Sequence, residues 1–366
     1  MSIIIFIIIL LVLVLVHEFG HFFTAKKFGI RVDEFGFGFP PKLFGRKYGE
    51  TEYSLNLLPI GGFVKIFGEN PDEENTNGPD RERSFVHKAK WKQAIVLFAG
   101  VFMNFFLAWI LFSVGFLSGL PTSLGNEPAG FKLSNVNLTI ISVLDKSPAD
   151  KSGLAPGDKI ITLKSGNDSI LDINPDSLKS FILAHGTKEI EIGYERGGSN
   201  EINRAIVIPV INKADNKPEI GISMDMVGIA KLPLFSAFKE GLALTWFVGK
   251  STVVGLYTLV VEGVQGKGSL ESVTGPVGMV GIVKNAYQFG FIYLLSFTAL
   301  ISVNLAIINL LPFPALDGGR LFFLLIEKIK GSRINPKFAN TANMIGFGIL
   351  ILLMVIVTFH DVVKLF

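Results

Sequence analysis

Residues 3–21 read IIIFIIILLVLVLVHEFGH, an unbroken apolar run that ends in two histidines four positions apart with a glutamate beside the first. On a helix, positions i and i+4 share a face, so His17 and His21 can ligate one zinc ion while Glu18 serves as a general base. The run is long enough to cross a bilayer, and ionisable side chains within a span are costly unless they carry function. The bland alternative is a pair of polar residues capping a membrane helix. Helical rise puts His17 about 20 Å along the segment, in the half of a roughly 30 Å hydrocarbon core nearer Lys26 and Lys27.

The composition fits a membrane protein with a sizeable soluble part. Of 366 residues, 49% are hydrophobic and 18% charged, too apolar for an ordinary soluble globule and too polar for a pure bundle of spans. Cysteine is absent, which excludes disulfides and thiolate metal sites and leaves the compartment unread. The net charge of +3 comes from interleaved acidic and basic residues and gives nucleic-acid binding no support.

Four segments read as transmembrane helices: 1–25, 93–120, 286–320 and 342–360. The first has no basic leader and no small-residue cleavage site, so it is expected to stay in place as a span. Residues 234–262 are apolar but broken by Lys239, Glu240 and Lys250, and read as an amphipathic helix at the interface. Basic residues gather at Lys26, Lys27, Arg31, Arg81, Arg83, Lys88, Lys90 and Lys92, and again at Arg320, Lys328, Lys330, Arg333 and Lys337. These loops are expected on the cytoplasmic side, with the termini and the 121–233 region outside.

A catalytic zinc usually takes three protein ligands, so HEFGH is one short. NLAIINLLPFPALDGGRL, residues 304–321, supplies Asp317 in a long hydrophobic context, where an isolated carboxylate is expensive unless it is paired or metal-bound. Pro312 and Pro314 stop regular helix, and Gly318 and Gly319 permit tight backbone, so local unwinding is expected there. The alternative for Asp317 is a helix cap.

HExxH in a first span followed by Asn309-x-x-Pro312-x-Pro314-x-Leu316-Asp317-Gly318 in a later one resembles the site-2 protease family, and most closely its RseP-like bacterial members. GFGF at 36–39, LLPIGGFVKI at 57–66 and GPVG at 275–278 extend the resemblance along nearly the whole chain. It implies that His17, His21 and Asp317 bind one zinc, that Glu18 is the base and that Asn309 lies beside the scissile peptide. Asn304, Gly36, Gly38, Gly61, Gly62, Pro312 and Pro314 are expected to contact substrate. The implied activity is hydrolysis of peptide bonds within the transmembrane segments of single-span proteins, such as anti-sigma factors or remnant signal peptides, after another protease has removed their external part. The implied location is a bacterial cytoplasmic (inner) membrane, with the active site toward the cytoplasm. One departure stands at residues 100–104, GVFMN, where relatives read G-P-x-x-N; the proline is lost and Asn104 is kept.

Two further regions have their own signals. Residues 125–226 show strand-like alternation, and ISVLDKSPADKSGLAPGDKIITL at 141–163 resembles the PDZ signature of bacterial envelope proteases, present once. Such a domain either binds extended peptides by strand addition or acts as a spacer over the membrane site. Within residues 26–92, EFGFGFPPKLF and TEYSLNLLPIGGFVKIFG read as strands of a membrane re-entrant β-hairpin or sheet, whose backbone must be satisfied by protein or substrate. The tract at 69–83 has the composition of a flexible loop. His87, His185 and His360 have no partner at ligand spacing. The expected architecture is thus a multi-pass α-helical membrane protein with a re-entrant β segment and an inserted PDZ-like domain, in contact with lipid, with substrate segments and, through the PDZ-like domain, with peptides.

Two other functions fit parts of the pattern. A non-catalytic membrane receptor or chaperone would use the PDZ-like domain, but purely structural zinc needs no base such as Glu18. A metal or ion transporter would need a relay of charges, and only one cluster lies within the spans.

Overall fold

The computed structural model describes residues 1–69, 77–197, 199, 201–212, 216–266 and 274–364. The chain divides into two compact units. One comprises Met1–Leu111, Leu242–Val283 and Thr298–Phe366, the other Phe112–Gly241 and Lys284–Phe297.

The first unit begins with α1 (Ser2–Lys27), which buries Phe6, Ile9, Leu13, His17, His21 and Ala25 at three- and four-residue intervals, so one face packs inward. Lys26 and Lys27 in its last turn complement the helix dipole. Two long antiparallel strands follow, β1 (Val32–Tyr48) and β2 (Thr51–Ile66). Both strands bend, so the first half of β1 is paired on two sides: Phe35 faces Tyr53 on one side and Val64 on the other, and Phe37 faces Leu55 and Gly62. The second half of β1 pairs outward with the first half of β2, through Phe44 and Leu55. Residues 62–66 thereby form an edge of this sheet, and Glu50 in its turn is tied to Lys26 at 2.6 Å and to Arg83 at 2.5 Å. The two strands expected within residues 26–92 are therefore present and form a bent sheet. Residues 70–76 of the tract expected to be a flexible loop lie outside the described residues.

Helix α2 (Lys90–Ser118) matches the second expected span. After residue 230 come α5 (Leu234–Val264), α6 (Pro276–Gln288), α7 (Phe291–Leu310), α8 (Asp317–Lys330) and α9 (Pro336–Lys364). Among the described residues, α1, α2, α5, α7 and α9 are long and apolar enough to cross a membrane. That makes five candidates where the sequence reading has four. Lys239 and Glu240 stand in the first turns of α5 and only Lys250 interrupts its middle, so an uninterrupted helix of spanning length forms where an interfacial one is expected. The 286–320 segment also needs correction. It is α7 and α8 separated by residues 311–316, because the prolines at 312 and 314 end the helix. The GPVG motif opens α6, where the Asp361 carboxylate accepts hydrogen bonds from the Gly275 and Gly278 N–H groups at 3.1 and 2.8 Å.

Residues 120–230, within the second unit, form a seven-stranded sheet with two helices among the described residues. Its strands are β3 (Leu120–Ser123), β4 (Ser134–Val143), β5 (Lys159–Ser165), β6 (Asp168–Ile170), β7 (Ile190–Glu195), β8 (Asn203–Val207) and β11 (Ile222–Ala230), with the path β3-β11-β4-β5-β7-β8 and β6 beside β5. The short pair β9 (Val210–Ile211) and β10 (Pro218–Glu219) lies apart from it. Local chemistry sets the helices: Ser147 caps α3 (Pro148–Lys151) with Pro148 at its first position, and Asn174 closes a capping box on α4 (Pro175–His185). Leu138, Ile140, Leu163, Leu178, Ile190 and Ile192 form the center of the core. Asp158 of the GLAPGD turn is fully buried and takes two 2.6 Å bonds from Arg196. The sheet starts at Leu120 and ends at Ala230, slightly wider than the expected 125–226, because β3 pairs with the far end of β11.

Candidate metal centre

α1 and α2 approach closely at two glycines. A β-carbon on Gly20 would lie 2.3 Å from the Ala99 carbonyl oxygen, and one on Gly100 would lie 2.4 Å from His21 Nε2. This contact sets both histidines against α2. His21 Nδ1 donates to the Val96 carbonyl at 2.8 Å, so its Nε2 is the unprotonated, metal-competent nitrogen. His17 Nδ1 faces the side-chain amide of Asn104 at 3.4 Å, and Asn104 Oδ1 is buried without a partner. Half a turn of that amide makes Oδ1 the acceptor for His17 Nδ1–H, which satisfies the orphan and frees His17 Nε2 in the same way. Ser302 on α7 fixes the Asn104 backbone by donating to its carbonyl at 2.8 Å.

The third donor comes from the break between α7 and α8. A β-carbon on Gly318 would meet the Leu311 carbonyl at 2.2 Å, and one on Gly319 the Phe313 carbonyl at 2.2 Å, so only glycines let the chain fold back this tightly. The Ala315 N–H is held by Asn343 Oδ1 at 3.1 Å. Asp317 is the first residue of α8, and Leu316, the residue at the N-cap, offers no side-chain cap. The Asp317 carboxylate turns inward, with Oδ2 3.0 Å from His17 Nε2 and 3.2 Å from His21 Nε2, while the two Nε2 atoms are 3.2 Å apart. A tetrahedral ion with ligands at about 2.0–2.2 Å separates them by roughly 3.3 Å, so the donor set fits zinc. Asp317 Oδ2 has no hydrogen-bond donor, as a metal ligand would not. Glu18, one residue from His17, accepts a hydrogen bond from the Val64 N–H on the sheet edge.

Two cavities adjoin this cluster. One, of about 410 Å³, is lined by His17, Glu18, Asp317, Asn309, Gly61 and Gly62 among others. The second, of about 210 Å³, reaches from Glu18, His21 and Asp317 to Glu69 and Arg320. Five other residues read from the sequence are not among those that line either cavity. Asn304 accepts from Thr252 on α5 at 2.7 Å, Gly36 and Gly38 make room for Phe63 and the Leu58 carbonyl, and Pro314 packs against Gly346. Pro312 terminates α7. Val96, Glu69 and Arg320 are site neighbours to which the sequence assigns no role at the site, and Asn104 is read there only as the residue kept in the 100–104 motif. His185 bonds Asp168 and the Phe181 carbonyl, a local role at the end of α4.

The family model of peptidase family M50 matches residues 5–353. The chain belongs to peptidase family M50. A candidate zinc metalloprotease of Clostridium perfringens is 37% identical over 352 residues, covering 96% of this chain and 95% of that protein. The zinc metalloproteases RasP of Shouchella clausii and Oceanobacillus iheyensis are 30% and 28% identical, each covering at least 98% of both chains. A solved PDZ domain of an SdrC-like protein of Listeria monocytogenes covers 26% of this chain and 93% of its own, at 20% identity and a TM-score of 0.21. As a member of M50, the chain is a zinc metalloprotease with membrane-spanning helices, and the non-catalytic receptor reading gains no support.

Proposed function

We propose that His17, His21 and Asp317 hold one zinc ion, that Glu18 is the general base, and that the substrate is a transmembrane segment of a single-span protein. The observation that carries this reading is the convergence of three acceptor atoms within 3.2 Å of one another. When bound, zinc supplies a Lewis acid that polarises the scissile carbonyl and acidifies water. Glu18 takes the proton of the attacking water and returns it to the leaving nitrogen as the C–N bond breaks. The Val64 N–H holds the Glu18 carboxylate in place for this transfer. Asn309 lines the apolar cavity beside the cluster and can donate its amide N–H to the developing oxyanion.

A helical substrate shields its own carbonyls, so the cut segment must unwind. The sheet edge at residues 62–66, which contacts Glu18 through Val64, offers main-chain groups to an extended segment by strand addition. Proline substituted singly along this edge is expected to reduce cleavage while zinc content stays constant; undiminished cleavage would remove strand addition from the proposal. The flanking basic residues support a site toward the cytoplasm of a bacterial inner membrane with the PDZ-like unit outside, where it recruits or screens peptides.

The deciding experiment measures cleavage of a tagged single-span substrate in liposomes by wild type and Glu18→Gln, with zinc per chain quantified. The proposal expects one zinc in both and cleavage only in wild type. Equal cleavage by both would remove Glu18 as base. A wild type that binds zinc and cuts none of several unwinding-prone segments would refute the substrate class.

A further inference from the structure

The two cavities beside the metal cluster differ in chemistry and follow one another along the same two elements. The larger involves Leu10 and Val14, upstream of His17 on α1, and Gly61 and Gly62 on β2. The smaller involves His21, downstream on α1, and Val64 and Ile66 further along β2. Glu18, Ala315 and Asp317 belong to both. A strand laid along the β2 edge therefore meets the larger cavity, then the reacting groups, then the smaller one. Beyond the shared cluster, the larger cavity offers Asn309 in an otherwise apolar wall. The smaller holds a full charge pair, Glu69 with Arg320, and Arg320 is also within electrostatic reach of Glu18.

We propose that the smaller cavity is a subsite for a substrate side chain ending in a hydrogen-bond acceptor, and that Arg320 reads it. This rests on the assignment of the cluster as the active centre. Arginine carries five N–H donors and no acceptor, and the single carboxylate of Glu69 leaves donors over for a substrate carboxylate, amide or hydroxyl. An apolar side chain there would strip water from Arg320 and Glu69 and return no hydrogen bond. Sites built to hydrogen-bond a substrate discriminate against analogues that cannot, far more strongly than apolar pockets discriminate by size. Transmembrane segments contain few polar residues, so such a subsite sets the register of the cut: the scissile bond lies a fixed number of residues from a polar side chain.

The test uses the full-length protein and a single-span substrate carrying Leu, Asn or Asp singly at each position within four residues of the cut. Products are mapped by mass spectrometry and kcat/KM compared. Wild type is expected to favour Asn or Asp over Leu by about ten-fold or more at one position, on one side of the bond only. In Arg320→Gln that ratio falls toward one, and in Glu69→Gln, which releases more Arg320 donors, it rises. A wild-type ratio near one at every position overturns the inference. So does a loss in Arg320→Gln that falls equally on all substrates, which would make Glu69–Arg320 a structural ion pair. If Arg320→Gln fails to retain zinc, an unchanged ratio in Glu69→Gln overturns it as well. Failure of wild type to cut any of these substrates refutes the active-centre reading instead, and the two failures are thereby distinguished.

Discussion

Asn104 and His17 form a buried pair across α1 and α2, amide to Nδ1 at 3.4 Å, and the pair explains the one amide oxygen there that lacks a donor. The bond fixes which imidazole nitrogen faces Asp317. Removing it in Asn104→Ala frees the ring to rotate and to bind a proton at the wrong nitrogen. Loss of such a partner typically costs roughly 10–100-fold in metal affinity, and that is the expected result. Asn104→Asp keeps an acceptor and is expected to bind more tightly than the alanine variant. Competition with a chelating zinc indicator reads both, and affinity unchanged in Asn104→Ala would refute the pairing.

The close approach of Gly100 to the histidines gives a second outcome. In Gly100→Ala, the new β-carbon falls 2.4 Å from His21 Nε2 and 2.8 Å from His17 Cε1. The helices cannot separate cheaply, because Gly20 already sits against the Ala99 carbonyl. Overpacking of this kind costs about 1–3 kcal/mol, and here it displaces ligand atoms as well. Both zinc per chain and the thermal midpoint are expected to fall. Full zinc occupancy with an unchanged midpoint would show that the contact is looser than described.

These two residues mark the limit of what the sequence discloses. His17 and His21 are legible because helical periodicity puts positions i and i+4 on one face, Glu18 because it stands beside the first of them in that motif, and Asp317 because a carboxylate between prolines and glycines in an apolar run is chemically conspicuous. The break at residues 311–316 follows from proline lacking an N–H. The caps Ser147 and Asn174 are local as well. What stays hidden is long-range. That Val64 bonds Glu18 depends on how β1 and β2 bend, and that β3 belongs to the sheet depends on its pairing with β11, a hundred residues away in sequence. The helix expected over residues 234–262 forms at Leu234–Val264, and Lys239, Glu240 and Lys250 do not interrupt it, since long charged side chains can lie along a helix and reach water.

Glu50 provides a pH prediction. Partial burial would by itself raise its carboxyl, but the hydrogen bonds and charges of Lys26 and Arg83 outweigh this and hold it below the usual carboxylate range. A group with a depressed folded value stabilises the fold above its unfolded pKa, and that stabilisation is lost as pH falls through the folded value. The thermal midpoint of wild type is thus expected to exceed that of Glu50→Gln above about pH 5, with the difference closing as the medium becomes more acidic. A difference that does not vary with pH between neutrality and pH 3 would show that the ion pairs contribute nothing at this turn.

Asp361 near the end of α9 is the remaining contact with a sharp consequence, because one carboxylate serves two N–H groups at the start of α6. The Gly275 and Gly278 amides belong to the first turn, where no carbonyl within the helix can satisfy them. Asp361 is buried, so water is a poor substitute. Asp361→Ala is expected to weaken this helix start by about 1 kcal/mol, the usual cost of losing such a cap, with Asp361→Asn losing less because it keeps one acceptor oxygen. Amide hydrogen exchange in the detergent-solubilised full chain reads the effect directly: exchange at Gly275, Gly278 and Met279 should quicken about five-fold while the middle of α6 is unaffected. Equal protection in the alanine variant would mean that α6 is held by its packing alone.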